Sequence, residues 1–122
     1  MSRKAPALLA AIAVMVALFA TAAYAASEAT EITGTDKGDI LYESQQNFRN
    51  DNIDGRGGND TIRAGAFGRD ADSVDGGSGI DTLNAADGDG RDTLDGGTGD
   101  LDKCTGDPED TYENSCEIIV ND

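Results

Sequence analysis

Aspartates recur along the chain at nearly regular intervals, so several carboxylates could act together at one place in a folded chain. Six of them are followed two positions later by an aliphatic residue, and successive members are 12, 9, 12, 9 and 11 residues apart. Paired, these steps give a repeat of 20 or 21 residues, which a disordered acidic chain has no reason to keep. Carboxylates at a fixed spacing can serve as acid–base groups or as ligands for a hard cation. The six aspartates are Asp39, Asp51, Asp60, Asp72, Asp81 and Asp92.

Glycines accompany these aspartates in a recurring unit of nine residues. Segment 55–63 reads GRGGNDTIR, segment 76–84 reads GGSGIDTLN, and a third copy begins GGTGD at Gly96. The second copy matches G-G-x-G-x-D-x-U-x at every position, where U is a large aliphatic residue. Segment 87–95, DGDGRDTLD, is looser but keeps two of the expected glycines. Several such units in register make a specific signal.

Over roughly residues 34–104 the chain resembles the haemolysin-type calcium-binding family, also called the RTX repeat family. The resemblance implies an all-β fold, a right-handed parallel β-roll, in which glycines form turns and each x-U-x forms a short strand. Glycine accepts positive φ and close backbone approach, so turn carbonyls can point at an ion. Calcium takes six to eight oxygen ligands in irregular geometry. The resemblance therefore implies Ca²⁺ as the cofactor.

In this family the ions lie between stacked turns, and each sixth-position aspartate contributes its side chain. One edge is expected to carry the better sites, between Asp39 and Asp60, Asp60 and Asp81, and Asp81 and Asp102. The other edge carries Asp51, Asp72 and Asp92 and is expected to bind weakly, between Asp72 and Asp92. The turn glycines that the resemblance assigns to the sites are Gly55, Gly57, Gly58, Gly76, Gly77, Gly79, Gly88, Gly90, Gly96, Gly97 and Gly99.

Some positions depart from the repeat. Arg56 replaces the second glycine of its unit, and a cation there is expected to weaken a calcium site. Leu101 occupies the sixth position of the last unit, which places Asp102 one residue late and puts its site in doubt. Segment 46–54 contains no glycine, so we expect a solvated loop with only a strand at Ile53.

The N-terminal residues differ in composition from the rest of the chain. Arg3 and Lys4 precede an uncharged stretch at 7–23, and Ala-Tyr-Ala at 23–25 fits the rule for signal-peptidase cleavage. We therefore predict a signal peptide at 1–25, a lead-in at 26–33, repeats at 34–103 and a cap at 104–122. Export makes contact with the membrane transient. The alternative is an uncleaved anchor that holds the protein on the cell surface, although the stretch is short and Ala-rich for a span.

The charge balance bears on folding and partners. The formal net charge is −15, and cleavage after residue 25 removes two basic residues and no acid, which leaves −17. Like charges oppose compaction, Trp is absent, and the few aliphatic residues make too small a core for ordinary folding. Such a chain is either disordered or needs a further source of stability for its fold, and the repeats favour bound calcium as that source. Nucleic acid is an unsuitable partner for so negative a chain.

The two cysteines, Cys104 and Cys116, follow the last repeat. In an exported chain an even count predicts a disulfide, here in a cap that protects the open end of a solenoid. The alternative is two free thiols. A zinc site is not predicted, because two cysteines without His make a poor ligand set.

The sequence predicts binding rather than catalysis. Without His there is neither an imidazole base nor an HExxH zinc helix, so we do not expect an enzyme. The leading hypothesis is an exported calcium-binding protein that folds when its turns bind Ca²⁺. The alternative is a calcium-independent acidic β-solenoid that serves as a surface structural or interaction module, with Thr61, Thr82 and Thr93 in an outward row. A protein or surface partner is not identified by the sequence.

Overall fold

The computed structural model describes residues 29–43, 49–65 and 70–122, so the predicted signal peptide at 1–25 lies outside the described residues. Within these ranges the chain forms short β-strands and no helix. The strands are β1 (Thr30–Thr33), β2 (Ile40–Tyr42), β3 (Asp51–Asp54), β4 (Thr61–Arg63), β5 (Ser73–Asp75), β6 (Thr82–Asn84), β7 (Thr93–Asp95), β8 (Lys103–Gly106), β9 (Thr111–Tyr112) and β10 (Ile118–Asn121).

The strands alternate between two parallel sheets. One sheet has the order β1-β3-β5-β7-β9 and the other has the order β2-β4-β6-β8-β10. Each consecutive pair of strands is therefore one coil of a β-solenoid. We call the turns that lead from odd to even strands the first edge and those that lead from even to odd strands the second edge. The predicted all-β parallel roll is confirmed.

The register follows the repeat read from the sequence. Ile53 lies opposite Val74, which lies opposite Leu94, and Ile62 lies opposite Leu83. All five side chains are almost fully buried, because alternate strand residues point between the two sheets. Two aliphatic columns thus face each other in a thin core, and this arrangement lets few large apolar residues suffice.

The predicted row of threonines is wrong in one member. Thr61 and Thr82 are neighbours in the sheet of even strands, as expected. Thr93 lies in the other sheet, where it neighbours Thr111. The steps of nine to twelve residues cross from one sheet to the other, so a residue eleven positions after Thr82 cannot continue its row.

The C-terminal end closes with shorter coils and a disulfide. Cys104 takes the buried aliphatic position next to Leu83 and is bonded to Cys116, with Cα atoms 5.7 Å apart. The predicted disulfide is confirmed. In the predicted lead-in, β1 (Thr30–Thr33) pairs with β3, and β8 (Lys103–Gly106) runs across the predicted start of the cap.

Candidate metal centre

Aspartates stack along the first edge and hydrogen-bond from coil to coil. The backbone N–H of Asp39 donates to Oδ1 of Asp60, that of Asp60 to Oδ1 of Asp81, and that of Asp81 to Oδ1 of Asp102. Each N···O distance is 2.7 Å. The N–H of Asp102 then donates to Oε2 of Glu117 at 2.8 Å. We call Asp39, Asp60, Asp81 and Asp102 the first-edge ladder.

The second edge carries an equivalent stack. The backbone N–H of Asp51 donates to Oδ1 of Asp72 and that of Asp72 to Oδ1 of Asp92, each at 2.7 Å. The backbone N–H of Asp92 donates in the same way to Oδ1 of Asp110, at 3.0 Å. We call Asp51, Asp72, Asp92 and Asp110 the second-edge ladder. In both stacks every aspartate after the first therefore uses one carboxylate oxygen to fix the register of neighbouring coils.

The other carboxylate oxygen of most ladder members is buried without a donor. Within the described ranges no hydrogen bond reaches Oδ2 of Asp60, Asp81 and Asp102, or Oδ2 of Asp51, Asp72 and Asp92. These six residues are at most 2% exposed. Leaving an ionised oxygen buried and unpaired is costly, so each such atom calls for a proton or a cation.

Glycines at the start of the first-edge turns make room for these oxygens. A Cβ added at Gly55 would lie 2.5 Å from Oδ2 of Asp60 and 2.6 Å from the carbonyl oxygen of Gly76. A Cβ added at Gly76 would lie 2.5 Å from Oδ2 of Asp81 and 2.7 Å from the carbonyl oxygen of Gly96. A carboxylate oxygen of the same turn and a carbonyl oxygen of the next coil thus both lie close to each glycine. This donor set is one that calcium accepts.

Burial also raises the pKa of ladder carboxyls. Removal from water raises the pKa of Asp72 to about 7, that of Asp81 to about 6 and that of Asp92 to about 8, with further increases from neighbouring acids. Asp39 at the N-terminal end differs. The backbone N–H and hydroxyl of Thr35 both donate to its Oδ2, at 2.6 and 2.8 Å, and they lower its pKa.

Two departures from the repeat are accommodated by the backbone. Asp102, expected one residue late, lies in register with Asp81 because Leu101 adopts a left-handed conformation with φ of 77° and absorbs the extra residue. Arg56 has φ of 71°, close to the 91° of Gly77 at the equivalent position. A left-handed turn is therefore kept where the glycine is missing.

The glycine-free segment 46–54 is more ordered than expected at its end. It contributes β3, and Asp51 is buried in the second-edge ladder rather than in a solvated loop. Residues 44–48 lie outside the described residues. Asp51 keeps its place because its N–H and that of its neighbours are fixed by coil-to-coil bonds, which do not require the turn glycines.

The structure also brings together acids that the sequence did not single out. Asp70, Asp87 and Asp89 each offer a carboxylate oxygen, and these oxygens lie within 4.8 Å of one another, so this acidic group can hold a metal ion. Asp110, which ends the second-edge ladder, was also missed. Asp70 and Asp87 occupy turn positions where the repeat expects glycine, and Asp89 occupies a position that accepts any residue. Asp110 lies in a coil shortened to 18 residues. Only the register of the folded coils reveals either feature.

No protein-family model, curated protein or solved structure matches the chain. In the part of the chain that is described, no helix has the length and apolar character needed to cross a membrane. A proposal about function therefore rests on the geometry of the two ladders and on the repeat pattern.

Proposed function

We propose that this chain is an exported calcium-binding protein of the haemolysin-type repeat kind, whose coils fold when Ca²⁺ binds between stacked turns. The observation that carries the proposal is the stack of buried Oδ2 atoms, in Asp60, Asp81 and Asp102 above all, to which no described residue donates. Carbonyl oxygens of the next coil lie beside two of them. Ca²⁺ would supply the missing positive charge at these points.

Calcium suits this donor set better than other common ions. Carboxylate and carbonyl oxygens select hard cations, and flexible turns can supply the six to eight ligands that Ca²⁺ takes. Mg²⁺ demands near-ideal octahedral geometry and gives up water reluctantly. We expect an affinity in the range of extracellular modules, on the order of 10⁻⁴ to 10⁻³ M.

Binding is expected to drive folding because the metal-free coil is unfavourable. The chain has a formal charge of −15, and the ladders bring buried carboxylates into neighbouring coils. An ion that binds only the coiled state adds its binding free energy to the free energy of folding. In cytoplasm with little calcium the chain would stay extended, and outside the cell it would coil.

The test is a far-ultraviolet circular dichroism titration of the purified protein, stripped with chelator and then supplied with Ca²⁺. We expect a disordered spectrum to convert to a β spectrum. Asp81→Asn keeps one side-chain oxygen to accept the N–H of Asp60 but replaces the other carboxylate oxygen with an NH₂ group. We expect the calcium concentration at the midpoint of folding to rise about tenfold, which corresponds to about 1.4 kcal/mol. Asp36→Asn, an exposed site in the first turn, is the control and should leave the midpoint unchanged.

The alternative function, a calcium-independent acidic scaffold, is favoured by one feature of the ladders. The Oδ1 bonds between coils join only protein groups, so they can contribute to the register whether or not an ion is bound. The same titration separates the two functions. An unchanged β spectrum in excess chelator would establish the scaffold and exclude folding on binding.

A further inference from the structure

Three acids on the second edge form a cluster that lies outside both ladders. Asp70 precedes β5, while Asp87 and Asp89 precede β7, one coil further along the solenoid. One carboxylate oxygen from each of the three lies within 4.8 Å of the other two. The cluster therefore joins successive coils through side chains alone.

Local hydrogen bonds orient two of these side chains and leave one oxygen of each available. Oδ1 of Asp87 accepts the backbone N–H of Asp89 at 3.0 Å, and Oδ1 of Asp89 accepts that of Arg91 at 3.1 Å. Oδ2 of both is buried, and no donor in the described part of the chain reaches either atom. The turn thus orients both carboxylates and leaves Oδ2 of each without a donor among the described residues.

Asp70 supplies independent evidence for a ligand. Its side chain is only 4% exposed, and neither of its carboxylate oxygens has a hydrogen-bond partner among the described residues. Burial is the main cause that raises its pKa, and the charges of Asp89 and Asp51 raise it further. A carboxyl so placed, facing two other acids, is stabilised by a cation in their midst.

A cavity borders the cluster at Asp89, on the side of the next coil. The cavity measures about 280 Å³ and is lined by Gly88, Asp89 and Gly90 on one coil and by 107–109 on the next. Asp89 belongs to both the cavity wall and the cluster. A water molecule occupies about 30 Å³ in the liquid, so the cavity has room for several waters.

We propose that Asp70, Asp87 and Asp89 form a second type of cation site, in which the three carboxylates hold a hard cation of the Ca²⁺ class. Unlike the ladder sites, it takes its protein ligands from side chains outside the sixth positions of the repeat. All-oxygen ligands and the absence of thiolate or imidazole from the cluster select hard ions. The site ties the coil of β5 to the coil of β7 on the edge that has fewer turn glycines.

The first experiment counts bound calcium by calorimetric titration. Asp87→Asn with Asp89→Asn keeps the Oδ1 acceptors of the turn and removes two charges, so we expect one equivalent of Ca²⁺ fewer than in the unmodified protein. The circular dichroism spectrum at saturating calcium should be retained. Asp36→Asn with Asp100→Asn, two exposed acids, is the matched control and should bind the full number. A full count in the cluster variant would overturn the proposal.

A second readout does not depend on how the double variant folds. Tyr112 donates its hydroxyl to the carbonyl oxygen of Asp107, which lines the cavity together with Asp89. Tb³⁺, a hard luminescent cation, should therefore give tyrosine-sensitised emission that Tyr112→Phe and Asp70→Asn each reduce. Emission that remains comes from Tb³⁺ at the ladders or from another tyrosine such as Tyr42. Emission that Asp70→Asn leaves unchanged would overturn the assignment. If emission behaved as expected while calcium caused no folding, the ladder proposal would fail and this site would stand.

Discussion

The interior aspartates of the ladders divide their two oxygens between two tasks. Oδ1 of Asp60, Asp81 or Asp102 accepts the backbone N–H of the aspartate one coil earlier, which fixes the register. Oδ2 of the same side chain faces the turn, and no described residue donates to it. Proton and metal ion therefore compete for one atom in each carboxyl, while the other atom remains committed to the fold.

This competition predicts a pH dependence of opposite sign with and without calcium. Burial raises the pKa of Asp72, Asp81 and Asp92 to about 7, 6 and 8, against about 3.9 for an unfolded aspartate. The metal-free coil thus binds protons more tightly than the unfolded chain, so its stability is greatest at low pH and falls as pH rises through these values. Because Ca²⁺ must displace these protons, calcium affinity should instead rise over the same window.

Circular dichroism between about pH 5 and about pH 8 tests both signs. The range stays above the isoelectric point near 4.1, where precipitation is expected. In chelator we expect the β signal to weaken as pH rises, and with added calcium we expect the midpoint concentration to fall. A β signal in chelator that strengthens with rising pH would contradict the assignment of buried, proton-binding ladders.

At the scale of strands and turns, much of the architecture was readable from the sequence. Aspartate–aliphatic pairs gave the strands, their 20- or 21-residue repeat gave the coils, and the cysteines gave the disulfide. The spacing of residues gave a wrong expectation for Asp102, which comes one residue late in its unit. Leu101 adopts a left-handed conformation, and Asp102 thereby lies in register with the aspartates of the earlier coils. The group of Asp70, Asp87 and Asp89 was missed because it depends on which turns meet across coils.

The first-edge turn at 55–60 offers a test of how much its departure from the repeat costs. Arg56 holds φ of 71°, a conformation that costs a side-chain-bearing residue about 1–2 kcal/mol relative to glycine. Arg56→Gly should relieve this strain and also remove a cation from this turn, whereas Arg56→Ala removes only the cation. In urea unfolding at saturating calcium we expect the Gly variant to exceed the Ala variant by about 1 kcal/mol. Equal stabilities would show that the turn is not strained at this position.

Over the whole molecule, general repulsion and specific sites both oppose folding without calcium. Salt screening weakens only the general repulsion between charges. About 1 M NaCl shortens the Debye length to about 3 Å, but it places no cation at the buried oxygens. Apart from Asp39, the acids of the ladders are almost fully buried, so mobile ions in solvent do not reach them. Charge reduction and site occupation can therefore be separated by the choice of salt.

We expect NaCl to contract the chelated chain without giving β structure, millimolar Ca²⁺ to produce the coil, and equal Mg²⁺ to be much less effective because it dehydrates reluctantly. Small-angle scattering provides the measurement, since the radius of gyration of a chain of roughly 100 residues falls from about 30 Å unfolded to about 13 Å folded. Circular dichroism on the same samples distinguishes contraction from coiling. If about 1 M NaCl in chelator produced both the folded radius and the β spectrum, repulsion alone would limit folding, and the buried Oδ2 atoms of the ladders would need no ion.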